Sequence, residues 1–379
     1  MKWVVEMKKV ILAPDSFKGT MSAREVCDIV GDEVKKCCPG AELICVPMSD
    51  GGEGMSESYV SLIGGELKTK EVTGPLGWFV DAEYGILPDG TAVMEMASCA
   101  GLPLTKGNLQ PLHATTWGVG ELMMHILGRG SSRFLIGLGG SATNDCGIGM
   151  ADALGYRFFD KDGVHLAPYA WNLAKVERIA PPEKMPEMTV TAACDVNNPL
   201  CGPRGAVAVF GPQKGLKPEQ IGPHDAAMAH FADVIKRELG RDVKDIPGAG
   251  AAGGLGAGML AFVDAQLKPG IEMLLDSVGF DQLLRGADLV ITGEGRLDGQ
   301  SLAGKVPVGV ARRAKAKGVP CIALCGCIGP EAEQVRSCGI DAYYASSDGS
   351  RSFDEIQRTC REDLAALAAR VLRVHLTNA

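Results

Sequence analysis

Short apolar runs that lead through polar loops into helical patterns recur at both ends of this chain, and that alternation sets its fold class. Residues 10–13 (VILA) read as a strand, followed by a loop and a helix over about 22–37. Ser22 is a plausible N-cap with Glu25 three residues on, a capping-box pattern. Residues 42–47 read as a second buried strand, ending in SDGGEG and a helix through SESYVSLIG. The pattern resumes near the far end with ADLVIT, helical VPVGVARRAKAKG, VPCIALCG, a helix near 331–337, DAYYAS and a last helix from about 352. Apolar strands alternating with helices imply a parallel sheet covered on both faces. The middle differs: FVDAEYGILPDGTAVMEMA alternates as a hairpin would around Pro88-Asp89-Gly90. The expectation is an α/β protein of two unequal α/β domains. Residues 1–75 and 286–379 would form one discontinuous domain, 76–285 a second one inserted into it, and the cleft between them would take the ligand.

Composition narrows the class. The length of 379 residues exceeds one comfortable core. A net charge of −8 argues against a nucleic-acid or anionic-membrane surface, and no apolar run reaches spanning length. The 13 cysteines are scattered in apolar runs such as ELICV and CIALC, which fits buried reduced thiols in a cytoplasmic protein. Cys325-x-Cys327 lacks a second ligand pair, so a metal site is not expected there. Met7 lies beside the first strand, and residues 1–6 read as a start-site extension without structural role. Glycine, at 50 residues, is the excess, and glycine-rich turns that touch ligands are its functional reading.

The strongest such turn is GLGGSATNDCGIG at 137–149, between strand-like SRFLI and helix-like MADALG. Glycines there let backbone N–H groups approach an anion, and the helix N-terminus behind adds a favourable dipole. Gly139, Gly140, Ser141, Asn144 and Asp145 are the candidates for holding nucleotide phosphates. Further loops place acids, amides or cations where open α/β sheets bind ligands. APDSFKGT offers Asp15, Ser16 and Lys18, the lysine suited to a phosphate or a substrate carboxylate. MSDGGEG sets Asp50 and Glu53 among three glycines, more acid than a turn alone needs. ACDVNNPLCGPRGA puts Asp195 on a strand end with Asn197, Asn198 and Arg204 following. Asp195 suits a general base or a magnesium ligand, although an Asx turn before Pro199 would use the same residues. ITGEGRLDGQSLAGK alternates Glu294, Arg296 and Asp298, which a strand-like backbone would point the same way.

Two patterns mislead. GAGAAGGLGAGM matches a dinucleotide fingerprint, but no strand precedes it, so a flexible loop crossing above nucleotide phosphates is expected, with Gly253 and Gly254 as contacts. Residues 299–305 have the spacing of a Walker A loop, yet Val306 stands where a magnesium-holding hydroxyl is required. Lys305 either meets a ligand or caps the loop before its helix. The six histidines form no catalytic arrangement, and no nucleophile elbow is present.

APDSFKG, SDGGEG, GLGGSATND-GIGM, CDV-NPL-G-GA---FGPQKG and TGEGRLDGQS-GK, recurring in order over roughly 8–375, resemble the bacterial glycerate kinase family. The resemblance implies ATP-dependent phosphorylation of glycerate, a magnesium requirement, and a discontinuous domain with flavodoxin-like topology. It implies mainly 2-phosphoglycerate as product, although nothing in these residues separates the two hydroxyls. The residue reading agrees, since phosphoryl transfer needs positioning and charge neutralisation. Glycine loops would cradle the triphosphate, Asp50 and Glu53 would hold Mg²⁺, and Asp195, or failing it Asp298, would accept the hydroxyl proton. Arg296 and Lys18 would meet the acid's charge, Arg296 with the better geometry for a carboxylate. Asp15, Ser16, Glu294 and Asn197 would complete the substrate contacts. GLGGSA also resembles the phosphate loop of galactokinase-type kinases, whose other motifs are absent. A non-catalytic acid-binding protein would not need five such loops.

Overall fold

A computed structural model of the chain describes residues 7–17, 19–48, 54–348 and 350–377. The expected start-site extension at 1–6 lies outside them, as do Lys18, Asp50 and Glu53. The strands, in chain order, are β1 Lys9–Pro14, β2 Glu42–Cys45, β3 Glu66–Thr73, β4 Phe79–Ile86, β5 Ala92–Glu95, β6 Arg133–Gly137, β7 Arg157–Phe159 and β8 Arg178–Ala180. They continue with β9 Thr189–Ala193, β10 Gln266–Lys268, β11 Leu289–Gly293, β12 Arg296–Leu297, β13 Cys321–Cys325, β14 Cys327–Ile328 and β15 Ala342–Ala345. The described residues fall into two compact units, one drawn from Met1–Asp50 with Ile271–Ala379, the other from Gly51–Gly270.

These limits differ from the expected ones at 75 and 286, for reasons of packing. β3 pairs along its whole length with β4, and the Ser56 hydroxyl of helix Met55–Ile63 donates to the Val93 carbonyl of β5. Residues 51–75 therefore go with the inserted unit. At the other limit, Arg313 of helix Val306–Ala316 bonds Glu272, Asp276 and Asp281, which ties 271–285 to the discontinuous unit.

In the discontinuous unit, five parallel strands lie in the order β15-β13-β11-β1-β2. Alternate residues Val10 and Leu12, Leu289 and Ile291, Ile322 and Leu324 pack with Val26, Val30, Leu364 and Leu367 of helices Ala23–Cys37 and Phe353–Thr377. Helix Val306–Ala316 covers the opposite face. The first helix begins as its sequence indicates, because Ser22 Oγ accepts the Glu25 N–H and the Glu25 carboxylate accepts the Ser22 N–H. β2 departs from expectation: it is the sheet edge, and Leu43–Cys45 are half-buried. The helix expected near 331–337 is a 3₁₀ segment, Ala332–Cys338. The strand order reverses between β1 and β11, the flavodoxin-like arrangement that opens a crevice at the carboxyl ends of those two strands.

The inserted unit holds a six-stranded sheet, β10-β9-β6-β5-β4-β3. β10, β9, β6 and β5 are parallel, while β5-β4-β3 is an antiparallel meander whose β4–β5 turn is the predicted Pro88-Asp89-Gly90. Phe134, Ile136 and Val190 share a core with Leu122 and Ile126 of helix Trp117–Gly128 and with Phe231 and Ile235 of helix Pro218–Leu239. The glycine-alanine stretch is no crossing loop. It forms the buried helix Ala251–Phe262, interrupted by left-handed Ala252, Gly253 and Gly254. Residues of this kind, apolar and almost without side chains, let a helix lie against neighbouring backbone.

Candidate active site

At the carboxyl ends of β1 and β11, a cavity of about 290 Å³ is lined by Asp15, Ser16, Glu294, Arg296 and Lys305, with Phe353 and Ile356 among its apolar walls. Parallel pairing sets Pro14 beside Gly293, and the Asp15 N–H donates to the Gly293 carbonyl, so the two acidic loops leave the sheet together. Glu294 is only 6% exposed. One carboxylate oxygen accepts the Ser301 hydroxyl, and the other lies 3.9 Å from Lys305 Nζ. Burial pushes the Glu294 carboxyl up to about 7; the charges of Asp15 and Asp298 act the same way, while Ser301 and Lys305 oppose them. Asp15 is also buried, its Oδ1 accepting the Ser16 N–H at 2.7 Å. Arg296 is exposed and donates through Nε to Asp298 at 3.1 Å. The alternation of Glu294, Arg296 and Asp298 thus sends the first two into one cavity, and Asp298 meets them through Arg296. Lys305, open to two readings in the sequence, lines the cavity.

The inserted unit builds a second constellation at the ends of β6 and β9, where the Leu138 N–H bonds the Ala193 carbonyl. Gly139 and Gly140 are exposed, and their N–H groups meet no acceptor among the described residues. Gly140 has φ +73°, and its carbonyl accepts the Leu102 N–H. Ser141 follows, 8% exposed. These three residues of the glycine loop therefore lie at or near the surface, two of them with N–H groups left unbonded among the described residues.

Asn144 and Asp145 turn the other way. Both are fully buried. Asp145 accepts the Thr116 N–H and hydroxyl at 2.8 Å each, and the Gly147 and Gly149 N–H groups at 3.2 and 3.4 Å. Its carboxylate fills the start of helix Ile148–Ala153, so the dipole expected to serve a phosphate is already answered by the chain itself. Burial raises its pKa, against those hydrogen bonds. Among the described residues neither amide atom of Asn144 has a partner, nor does Thr143 Oγ1, an arrangement uncommon for buried polar groups. Gly253 and Gly254 also lie inside. The Gly253 carbonyl accepts the Cys146 N–H, and a Cβ on Gly253 would come within 1.9 Å of the Thr143 carbonyl. They pack against the backbone of 143–146, behind the phosphate-loop candidate. A similar occupation occurs after the acidic glycine loop, where Glu95 accepts the Gly54 and Ser56 N–H groups ahead of helix Met55–Ile63.

Asp195 and Asn197 are exposed just beyond β9. Asp195 Oδ1 accepts the Gly270 N–H at 2.9 Å, which ties the β9 end to the segment after β10. Asn198 belongs to the turn, donating to the Arg204 carbonyl at 2.7 Å.

One residue escaped the sequence reading. Lys214, from FGPQKG, is 3% exposed, and its Nζ donates to Ser141 Oγ and to the Thr143 carbonyl, both at 2.7 Å. A lysine in a short polar turn normally faces water, so composition gave no signal for it.

Comparison with known proteins shows which family the chain belongs to. Residues 10–376 match the model of the glycerate kinase family. The chain belongs to that family. It is 43% identical over 373 residues to a glycerate kinase of Halalkalibacterium halodurans, covering 97% of this chain and 98% of the relative. It is 40% identical to the glycerate 2-kinase of Escherichia coli K12, covering 98% and all of that protein. A crystal structure from Salmonella typhimurium LT2, described as a candidate glycerate kinase 2, superposes with a TM-score of 0.85 at 39% identity, over 97% of this chain and 98% of that one. The protein is therefore a kinase, and the α/β fold with parallel sheets is the family's own.

Proposed function

We propose that this kinase transfers the γ-phosphoryl group of ATP to the 2-hydroxyl of glycerate. The observation that carries the reading is the pairing, in one cavity, of a buried carboxyl poised near neutrality with two cations. Glu294 would take the hydroxyl proton, its raised pKa matching the working pH of a general base. Arg296 and Lys305 would neutralise the acid's carboxylate, with Asp15 and Ser16 beside them. In the inserted unit, Gly139, Gly140 and Ser141 would hold the nucleotide phosphates through backbone N–H groups. Asp195 and Asn197, at the same sheet end, would meet the nucleotide or its ion. The name of the Escherichia coli relative supports the 2-hydroxyl.

Magnesium is proposed as the nucleotide's counter-ion. No group of three His, Cys, Asp or Glu among the described residues could hold a metal ion, so the protein's share would be one or two carboxylates. Asp50 and Glu53 stay proposals of the sequence for that role, and Asp15 and Glu294 are the described acids that share a cavity. The cytoplasm is the proposed location: all thirteen cysteines carry free thiols, and no described helix is long and apolar enough to cross a membrane.

Purified protein with Mg²⁺, ATP and D-glycerate should form an acid that enolase converts directly to phosphoenolpyruvate. Product that needs a phosphoglycerate mutase first would move the transfer to the 3-hydroxyl. ATP turnover with sugars and none with glycerate would end the reading.

A further inference from the structure

The chemistry above leaves Lys214 without a task. Its ammonium is withdrawn from water, yet both of its bonded acceptors, Ser141 Oγ and the Thr143 carbonyl, are uncharged. Burying a charge without a bonded counter-charge is costly. The acid that acts on it is Asp145, whose oxygens are spent on Thr116, Gly147 and Gly149 and which burial holds toward its neutral form. His224, from helix Pro218–Leu239, bonds the Asn144 carbonyl at 2.8 Å, and burial likewise favours its uncharged state. The pocket beneath residues 139–144 is thus short of negative charge, and burial brings Lys214 down to about 7. In the same few residues, Gly139 and Gly140 are exposed, and their N–H groups meet no acceptor among the described residues. An anion seated there would stand one hydrogen bond away from the Lys214 ammonium, through Ser141.

We propose that Lys214 is a positioning residue that takes up a proton when a phosphate chain settles on Gly139, Gly140 and Ser141, so that nucleotide binding and a charged Lys214 stabilise each other. The anion supplies the counter-charge the pocket lacks. The charged ammonium in turn holds Ser141 and the Thr143 carbonyl in the conformation that aims the loop. Such linkage is reciprocal: whatever the anion does to Lys214 protonation, protonation does to the anion's affinity. The inference rests on reading this loop as the nucleotide's phosphate site.

Calorimetric titration of the whole protein with ATP, without glycerate, at pH 8 in Tris and in HEPPS tests it. At that pH the nucleotide phosphates are already ionised, while Lys214, at about 7 in the free protein, is mostly neutral. The difference in heat between the buffers should report uptake approaching one proton per ATP, to which a merely structural lysine would contribute nothing. ATP affinity should also fall with rising pH above 7, by up to about tenfold per unit. Lys214→Met should abolish the uptake and weaken ATP binding roughly tenfold or more, as expected for loss of a charge-assisted hydrogen bond. If that variant fails to fold, the buffer pair and pH series on the unaltered protein decide alone. ATP binding with no buffer dependence overturns the inference and leaves the loop as phosphate site. Uptake that survives in Lys214→Met assigns the proton elsewhere, to His224 for example, and also overturns it. No ATP binding by the unaltered protein removes the loop reading and the inference with it.

Discussion

Lys305 holds its ammonium 3.9 Å from a carboxylate oxygen of Glu294, while Ser301 occupies that carboxylate's other oxygen. The two partners favour the ionised acid, yet burial outweighs them and keeps Glu294 near 7. A carboxyl balanced in this way can hold a proton or release it at working pH, which gives it a testable signature in both rate and stability.

Replacing Glu294 by Gln should lower kcat by about 10²–10⁴, the usual cost of losing a general base. A base works deprotonated, so unaltered activity should rise with pH through about 7, and the residual activity of the variant should lack that limb. Asp195→Asn provides the comparison. Asparagine can still accept the Gly270 N–H, so the fold should survive. A larger loss at Asp195 than at Glu294 would return the base to Asp195.

The same group predicts a stability trend. Glu294 titrates near 4.5 when unfolded and near 7 when folded. A raised folded pKa means that folding retains a proton, so the favourable contribution is complete below 4.5 and is lost as pH rises through 7. The full shift corresponds to roughly 3 kcal/mol. Glu294→Gln, which stays neutral, should therefore gain stability over the unaltered protein at pH 8 and show little difference at pH 4.5. Denaturant unfolding at both pH values checks this, and an equal effect at the two would contradict it.

Arg296→Lys should raise the KM for glycerate about tenfold, the cost of exchanging a forked contact for a point charge, and leave the KM for ATP nearly unchanged. Arg296 is exposed toward the cavity and held by Asp298, so the lysine has room and the fold should not suffer. A selective rise in the KM for ATP would place Arg296 on the phosphates.

These predictions draw on features that were unequally legible in the sequence. The capping box at Ser22, the Pro88-Asp89-Gly90 turn and the flavodoxin-like strand order followed from local chemistry or family resemblance. The pairing of Glu294 with Arg296 was legible because an acid and a base two residues apart after an apolar strand leave little else to explain them. Burial direction was not. Asp145 and Asn144 carry the same side chains whether they face a ligand or brace a loop, and only the position of Thr116, remote in sequence, decides between these roles for Asp145. Gly253 and Gly254 look like ligand-approach glycines, but the backbone they approach is that of 143–146. β2 reads as buried because its side chains are apolar, although its place at the sheet edge depends on which strands follow hundreds of residues later.

The two kinds of glycine give the last prediction. Gly140 is exposed, and a Cβ there would meet only Ala97 Cβ, at a tight 3.2 Å that asks that side chain to give by a few tenths of an ångström, with φ at +73°. Gly253 is buried, and a Cβ would press within 1.9 Å of the Thr143 carbonyl, a backbone atom that cannot yield without moving the loop. Gly140→Val should therefore cost about 1–2 kcal/mol from the left-handed backbone, yet reduce ATP binding severely, because the branched side chain stands where the anion approaches. Gly253→Ala should do the reverse in order of cause. It should destabilise the fold by more than about 2 kcal/mol through overpacking, with ATP affinity falling only as far as the loop is displaced. Thermal unfolding and ATP titration on both variants separate the cases. If stability and ATP affinity fall together at Gly140, that glycine serves the fold alone, and the anion-facing role of the 139–141 edge is lost.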